Sequence, residues 1–341
     1  MSRRGRRAVP SSRHRRLIAG IAAVALAAGA CATTLGREEL AVEYYNIGSA
    51  YFDLGELDKS VSYLSRALDL SPDLARASYN LARVYVLQGR YEPALELLDT
   101  LLSQDPSNAL VMETIAYTHY LTGELGPAAQ WYDRALDLSP TNLDLLQNRA
   151  TVAQERGDHE LAVRLLRRAL DLADSRPQLS RHLAEAERAL GRYDRAMEAY
   201  RVYVDGVSTP DPEALLGYAE LLESQEYYAV ALEVLDRLVE RDGVDSELLA
   251  RAHFANGRIL LVHAMEEDRG LESLAAALEL GFADEDAAAD LLDVAPPESV
   301  PAIRAALTAA GLLEPDDSTP REDGGPTGET LTEPDLPTAD E

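Results

Sequence analysis

Apolar positions in this chain fall three and four residues apart, the spacing of one face of an α-helix. Tyr44, Ile47, Gly48 and Tyr51 make one stripe, and Val61, Leu64, Ala67 and Leu68 make the next. Between them the pattern breaks at Asp53-Leu54-Gly55-Glu56, a turn with glycine where a helix ends. The break returns at Gln88-Gly89-Arg90, Thr122-Gly123-Glu124, Arg156-Gly157-Asp158 and Leu190-Gly191-Arg192. The pattern therefore predicts a helix, a tight turn and a second helix, over and over.

The period is 34 residues, with units starting at Ala41, Ala75, Ala109, Leu143 and Pro177 and no slip in phase. Small residues stand at offset 8 (Gly48, Ala82, Ala116, Ala150, Ala184) and at offset 20 (Ala94, Ala128, Ala162, Ala196), where two helices approach closely. Larger residues at offsets 4, 11 and 24 fill the remaining space. Pro72, Pro106 and Pro140 follow the second helix, which proline cannot continue. A fixed period of this length means stacked supersecondary units rather than one globular core. A generic helical bundle has no reason to keep that phase.

These residues resemble the tetratricopeptide repeat (TPR) family, over Ala41 to Asp245. The resemblance implies an all-α fold: a TPR α-solenoid, a right-handed superhelix of helix-turn-helix repeats. A sixth unit starts at Pro212 after a one-residue slip, so six repeats are expected over 41–245. A degenerate repeat and capping helices are expected over 246–313. Its first helix is marked by Phe254, Gly257 and Leu260, its second by Leu274, Ala277 and Leu278, and shorter helices follow at 285–293 and 300–310. Loss of the pattern suits the end of a solenoid, which has no neighbour on one side. The fourth unit departs from the rule at Arg149, where offset 7 is normally apolar, and at Asp174, where proline is usual. An arginine in a helix seam needs an acceptor or must snorkel to water, with or without a local bend. The other reading of Arg149 is a polar feature of a binding surface.

Residues 1–31 read as a targeting segment. Seven arginines precede the apolar run Leu17–Gly29, and Ala28-Gly29-Ala30-Cys31 ends it. That ending resembles the lipobox of bacterial lipoproteins, although Ala28 stands where leucine is usual. The resemblance implies cleavage before Cys31, which is then acylated with diacylglyceryl and palmitate-type chains. Cys31 is the only cysteine in the chain. The 13-residue run falls short of the roughly 20 residues that span a bilayer. An uncleaved anchor, or a soluble exported protein cut by ordinary signal peptidase, are the alternatives. A short tether over 32–40 would reach about 30 Å. Ala32 after the cysteine, rather than aspartate, tips the bilayer toward the outer membrane over the inner, with the solenoid in the periplasm or at the surface of the bacterial cell envelope. At the other end, 314–341 holds ten acidic residues, one basic residue and five prolines, the composition of a disordered acidic tail.

Charge narrows the partners. The chain carries 59 acidic and 32 basic residues, and loss of 1–31 moves the formal charge from −27 to −34. That excludes nucleic acid, whose phosphates need a basic footprint. It also argues against attachment through contact with anionic lipid, so the lipid on Cys31 is the expected attachment and has to overcome that repulsion. No Gly-rich phosphate loop, G-x-S-x-G elbow or H-E-x-x-H is present. His119, His159, His182, His253 and His263 are scattered, with no spacing that would gather them on one helix face. The expectation is no enzyme, no catalytic residue, no metal, no cofactor and no small-molecule substrate.

The resemblance also implies a concave groove, lined by the first helix of each repeat at offsets 2, 5, 9 and 12. Mapped here, a partner-binding groove is expected at Val42, Tyr45, Phe52, Arg76, Tyr79, Arg83, Tyr117 and Tyr120. Ser49, Val86, Leu110 and Glu113 fill the other positions of the first three repeats, and later repeats become polar. The tyrosines would contact an extended segment or a helix of a partner protein, and Arg76 and Arg83 would pair acids on it. The carboxylate-clamp variant of the family is excluded, because of its five positions only Asn80 fits. The expected role is a membrane-anchored scaffold. Lipid-anchored relatives of this kind serve outer-membrane protein assembly, pilus secretin assembly and regulation of peptidoglycan enzymes. The alternative is a non-catalytic regulatory subunit of a peptidoglycan- or protein-processing system.

Overall fold

The computed structural model of the protein describes residues 36–173 and 176–314. Residues 1–31 with the lipidation candidate Cys31, residues 32–35 of the tether, Asp174, and 315–341 of the acidic tail lie outside the described residues. Among the described residues there are sixteen α-helices and no strand. Contacts divide the chain into two units, one ending at Pro210 and one beginning at Asp211.

The first unit holds ten helices in five pairs: α1 Arg37–Asp53 with α2 Leu57–Leu70, α3 Ala75–Leu87 with α4 Tyr91–Gln104, α5 Ala109–Leu121 with α6 Leu125–Leu138, α7 Leu143–Glu155 with α8 His159–Leu172, and α9 Pro177–Ala189 with α10 Tyr193–Gly206. Each helix packs on the next, and the first helices of successive pairs also touch: α1 on α3, α3 on α5, α5 on α7, α7 on α9. The core does not close within a pair. One apolar cluster runs from Met112 through Tyr132, Leu146 and Leu166 to Leu179, crossing three repeats. Each unit thus buries its apolar face against its neighbours, which is why the repeat must be stacked.

Every pair turns through a glycine in the left-handed region: Gly55, Gly89, Gly123, Gly157 and Gly191, with φ between 69° and 77°. There an L side chain would cost about 1–2 kcal/mol. The residue after each glycine donates its backbone N–H to the carbonyl five positions back, as Arg90 does to Tyr85 at 2.8 Å and Arg192 to Glu187 at 2.9 Å. Gly48 is glycine for a different reason. A Cβ there would stand 2.8 Å from Leu64 Cγ, so α1 and α2 close on a bare backbone.

One boundary is corrected. Sequence spacing assigns 37–40 to the tether, whereas these residues are the first turn of α1. The Glu39 carboxylate accepts the Gly36 backbone N–H at 3.0 Å, and Glu38 and Glu39 place negative charge at the positive end of the helix dipole.

Arg149 takes an acceptor instead of snorkelling. Its guanidinium bonds Asp133 of α6, Nε to Oδ1 at 2.8 Å, and its side chain is 8% exposed. A second buried charge went unnoticed in the sequence. Glu187 of α9 is 1% exposed at its side chain and bonds Arg167 of α8 and Arg192 in the turn after α9. A cation on either side offsets the desolvation of that carboxylate.

The second unit holds α11 Pro212–Ser224, α12 Tyr228–Val239, α13 Ser246–Ile259, a π-helical turn over Leu260–Ala264, α14 Glu267–Glu279, α15 Glu285–Val294 and α16 Val300–Ala309. Asp211 caps α11 by accepting the Ala214 N–H at 3.1 Å, and Asp284 caps α15 by accepting that of Ala287 at 2.9 Å. The turn between α11 and α12 uses Glu226 at φ 65°, at the repeat position where the first unit has glycine. The core gathers Phe254, Leu261, Leu274, Leu291, Ile303 and Leu307, with Phe282 stacked on Phe254 at 4.0 Å between ring centroids. A Cβ on Gly270 would meet Leu261 Cγ at 2.5 Å, so α14 lies directly against the π turn.

Candidate functional site

In the first unit, α1, α3, α5 and α7 line a cavity of about 500 Å³. Of the eight groove residues expected from the repeat offsets, Phe52, Tyr79, Arg83 and Tyr117 line it. Val86, Leu110 and Glu113, at the other groove offsets, join them. The geometry follows from the helix period. Offsets 2, 5, 9 and 12 lie on one stripe of each first helix, and those helices stand side by side. Leu87, Thr114 and Asn148 complete the lining and were missed. Leu87 sits one residue past offset 12 and is 59% exposed; a leucine immediately before a helix-terminating glycine turn was the available signal.

The arginines are held by ring faces. The Arg83 guanidinium carbon lies 4.6 Å from the Phe52 ring centroid and 5.8 Å from that of Tyr79, and Arg76 lies 4.6 Å from that of Tyr45. Tyr79 shares a hydrogen bond of 3.1 Å with Thr114, tying α3 to α5. Asn80 donates to Ser49 at 2.9 Å and ties α3 to α1, a structural role.

Val42, Tyr45, Arg76 and Tyr120 lie outside the cavity lining. Tyr120 stacks on Tyr117 at 6.3 Å and donates its hydroxyl to Glu155. That hydrogen bond, then burial, push its phenol up to about 12. Glu113 is half-buried, and burial and then neighbouring Asp144 raise its carboxyl above the usual range. Asp144 has a cation of its own, Arg176 at 2.8 Å.

The histidines remain apart. His119 Nδ1 is 2.6 Å from Glu124 Oε2, and that hydrogen bond lowers the Glu124 carboxyl. His182 is pushed down to about 4 by burial and then by Arg181. His253 is lowered by burial, and His263 stacks on Tyr228 at 3.9 Å. Among the described residues no group of three or more His, Cys, Asp or Glu side chains is placed to hold a metal, and no helix is long and apolar enough to cross a membrane.

Profiles of the tetratricopeptide repeat family match residues 27–73, 51–113, 88–142 and 148–211, together more than half of the chain. The chain belongs to the tetratricopeptide repeat family. Solved TPR structures share the fold. PilF of Pseudomonas aeruginosa is 22% identical, with a TM-score of 0.53, over 60% of this chain and 92% of its own. PilW, a type IV pilus biogenesis factor, is 19% identical, with a TM-score of 0.56, over 61% and 96%. A TPR protein of Parabacteroides merdae is 19% identical, with a TM-score of 0.54, over 76% and 99%. No curated protein matches the chain.

Proposed function

We propose that this TPR protein is a lipid-anchored scaffold of the bacterial cell envelope that binds a partner protein, through an extended or helical segment, in the groove of its first three repeats. The groove carries the proposal. Leu87 is 59% exposed, Leu110 55% and Tyr117 42%, and all three line one cavity with Phe52 and Tyr79. Large apolar side chains left open together in a concave site favour a bound segment over solvent. Aromatic residues with a polar handle suit such a surface. The anchor rests on the sequence: the basic, apolar and small-residue run that ends at Cys31. With α1 beginning at Arg37, the proposed tether is shorter than its sequence span suggests, which supports a groove held close to the bilayer. Among proteins of the same fold, PilF and PilW belong to pilus biology by their names, and YrrB, 18% identical with a TM-score of 0.50, is described as having an unusual peptide-binding site. Those names favour the scaffold reading over that of a regulatory subunit of a peptidoglycan- or protein-processing system.

The test is photo-crosslinking from native membranes, with a crosslinker at Leu110, comparing the natural chain with a Tyr79→Ala/Tyr117→Ala variant that keeps its circular dichroism. One partner captured by the former and lost from the latter is the expected result, and its identity names the process. Capture that is unchanged by the two substitutions removes the groove as the site. Failure of radiolabelled palmitate to enter the natural chain, with no loss on Cys31→Ser, removes the anchor.

A further inference from the structure

The groove is not uniform in charge. On its α3 side stands Arg83, whose guanidinium lies over Phe52 and Tyr79. A ring face engages the plane of a guanidinium and leaves its N–H edge able to donate. Among the described residues Arg83 has no carboxylate partner. Arg76, Arg90 and Arg134, also set over rings, share that state, whereas Arg149, Arg167, Arg176, Arg192 and Arg258 hold carboxylates; of the ring-held arginines, Arg83 is the one that lines this cavity. On the α5 side of the same cavity stands Glu113, half-buried, with no cation against it among the described residues. Burial and neighbouring Asp144 both disfavour its charge. The rest of the lining is mostly apolar, with Val86, Leu87, Leu110 and Tyr117 beside Thr114 and Asn148.

We infer that this groove, on the reading above that it is the partner site, takes a charge-ordered protein segment: a carboxylate against Arg83, an apolar side chain in the cavity, and a cation against Glu113. Each group of the segment then satisfies a charge or an apolar surface that the repeats leave open. The order of acid and base along a segment then fixes the direction in which it lies, because lying the other way sets like charges against each other at both ends.

Random dodecapeptides displayed on phage, selected on the purified full chain, are the probe. Enriched peptides are expected to carry an acid, an apolar residue and a base, and to lose at least about tenfold in affinity on Arg83→Glu and on Glu113→Lys. The double variant Arg83→Glu/Glu113→Lys, which again presents one cation and one anion, is expected to recover part of the binding that either single variant loses. Peptides that are lost on Tyr79→Ala/Tyr117→Ala, yet indifferent to both charge variants, overturn the charge order and leave the groove standing. Peptides indifferent to the tyrosine substitutions overturn the groove and the charge order together, as does the absence of enrichment over bare support. Circular dichroism of each variant separates lost binding from lost fold, and Arg83→Gln, which removes charge without reversing it, gives an intermediate loss if the order holds.

Discussion

Arg149 in the first helix of the fourth repeat reaches back to Asp133 in the second helix of the third, with Nε 2.8 Å from Oδ1 and Nη2 3.3 Å from Oδ2. The two ends of this pair live in different surroundings. The arginine side chain is 8% exposed and the aspartate 58%. Removing the aspartate strands a buried cation, whereas removing the arginine leaves a carboxylate that water can solvate. Asp133→Ala is therefore expected to cost about 1–3 kcal/mol. Arg149→Leu, which restores the apolar character of Ile47, Leu81 and Ile115 at the same offset, is expected to be neutral or stabilising. In the Arg149→Leu background Asp133→Ala should lose its effect. Urea-melt midpoints of the four chains form the cycle. A larger loss from Arg149→Leu than from Asp133→Ala would mean that the pair holds the two repeats together.

This pair also marks how far the sequence could be read. Helix ends were legible because glycine at a fixed offset has one physical use there, a left-handed turn, and all five such glycines adopt it. The groove was half legible. Helix periodicity aligns Phe52, Tyr79 and Tyr117, but whether Tyr120 opens to the cavity depends on its bond to Glu155, 35 residues away in the next repeat. Pairs such as Arg149 with Asp133 and Glu187 with Arg167 join helices of different repeats, at separations of 16 and 20 residues that no single-helix rule covers. The π turn at Leu260–Ala264 was hidden for another reason. Its apolar run reads as a continuing helix, and no residue type in it marks the wider backbone against which Gly270 packs.

Glu226 offers a gain in stability. It holds φ at 65° in the turn between α11 and α12. The five equivalent positions of the first unit are glycine. Glu226→Gly should relieve strain and raise stability by about 1 kcal/mol, less the entropy of a freer unfolded chain. Gly157→Ala is the mirror test. Nothing stands within 4 Å of the added Cβ, so the expected loss of about 1 kcal/mol comes from the backbone alone. Thermal melts of the two variants should move in opposite directions; a rise for both would dismiss the argument from strain.

Gly48 and Leu64 predict a compensating pair. A Cβ at 48 comes within 2.8 Å of Leu64 Cγ and 3.1 Å of the Leu64 backbone N. The other four repeats of the first unit carry alanine at this offset, so the restriction belongs to this contact and not to the repeat. Gly48→Ala should cost about 1–3 kcal/mol through overpacking. Leu64→Val alone leaves a small cavity and costs less than about 2 kcal/mol. If the clash is with the side chain, the double variant recovers part of the first loss. If the backbone nitrogen sets the limit, the two losses add, and the melting midpoint distinguishes the cases.

His182 makes stability depend on pH. It is packed among Gln147, Gln154 and Arg181, Gln154 donates to its carbonyl at 3.2 Å, and the Glu185 carboxylate, which favours the charged ring, stands 3.8 Å from Nδ1. Burial, then Arg181, lower its folded pKa to about 4, against an ordinary value of 6.5. The unfolded chain thus binds a proton at His182 in a range where the folded chain does not. Stability from the neutral ring is fully present above pH 6.5, declines as pH falls toward 4, and changes no further below that. A shift of this size corresponds to roughly 3 kcal/mol. The carboxylates titrate over part of the same range, so the informative quantity is a difference: urea midpoints of the natural chain and of His182→Gln at pH 7.5, 6 and 4.5. The natural chain should lose ground to the variant steadily between the first and last of these. A constant gap would mean that the ring takes its proton in the folded state as readily as in the unfolded one, and that Arg181 and the surrounding helices yield to admit the charge.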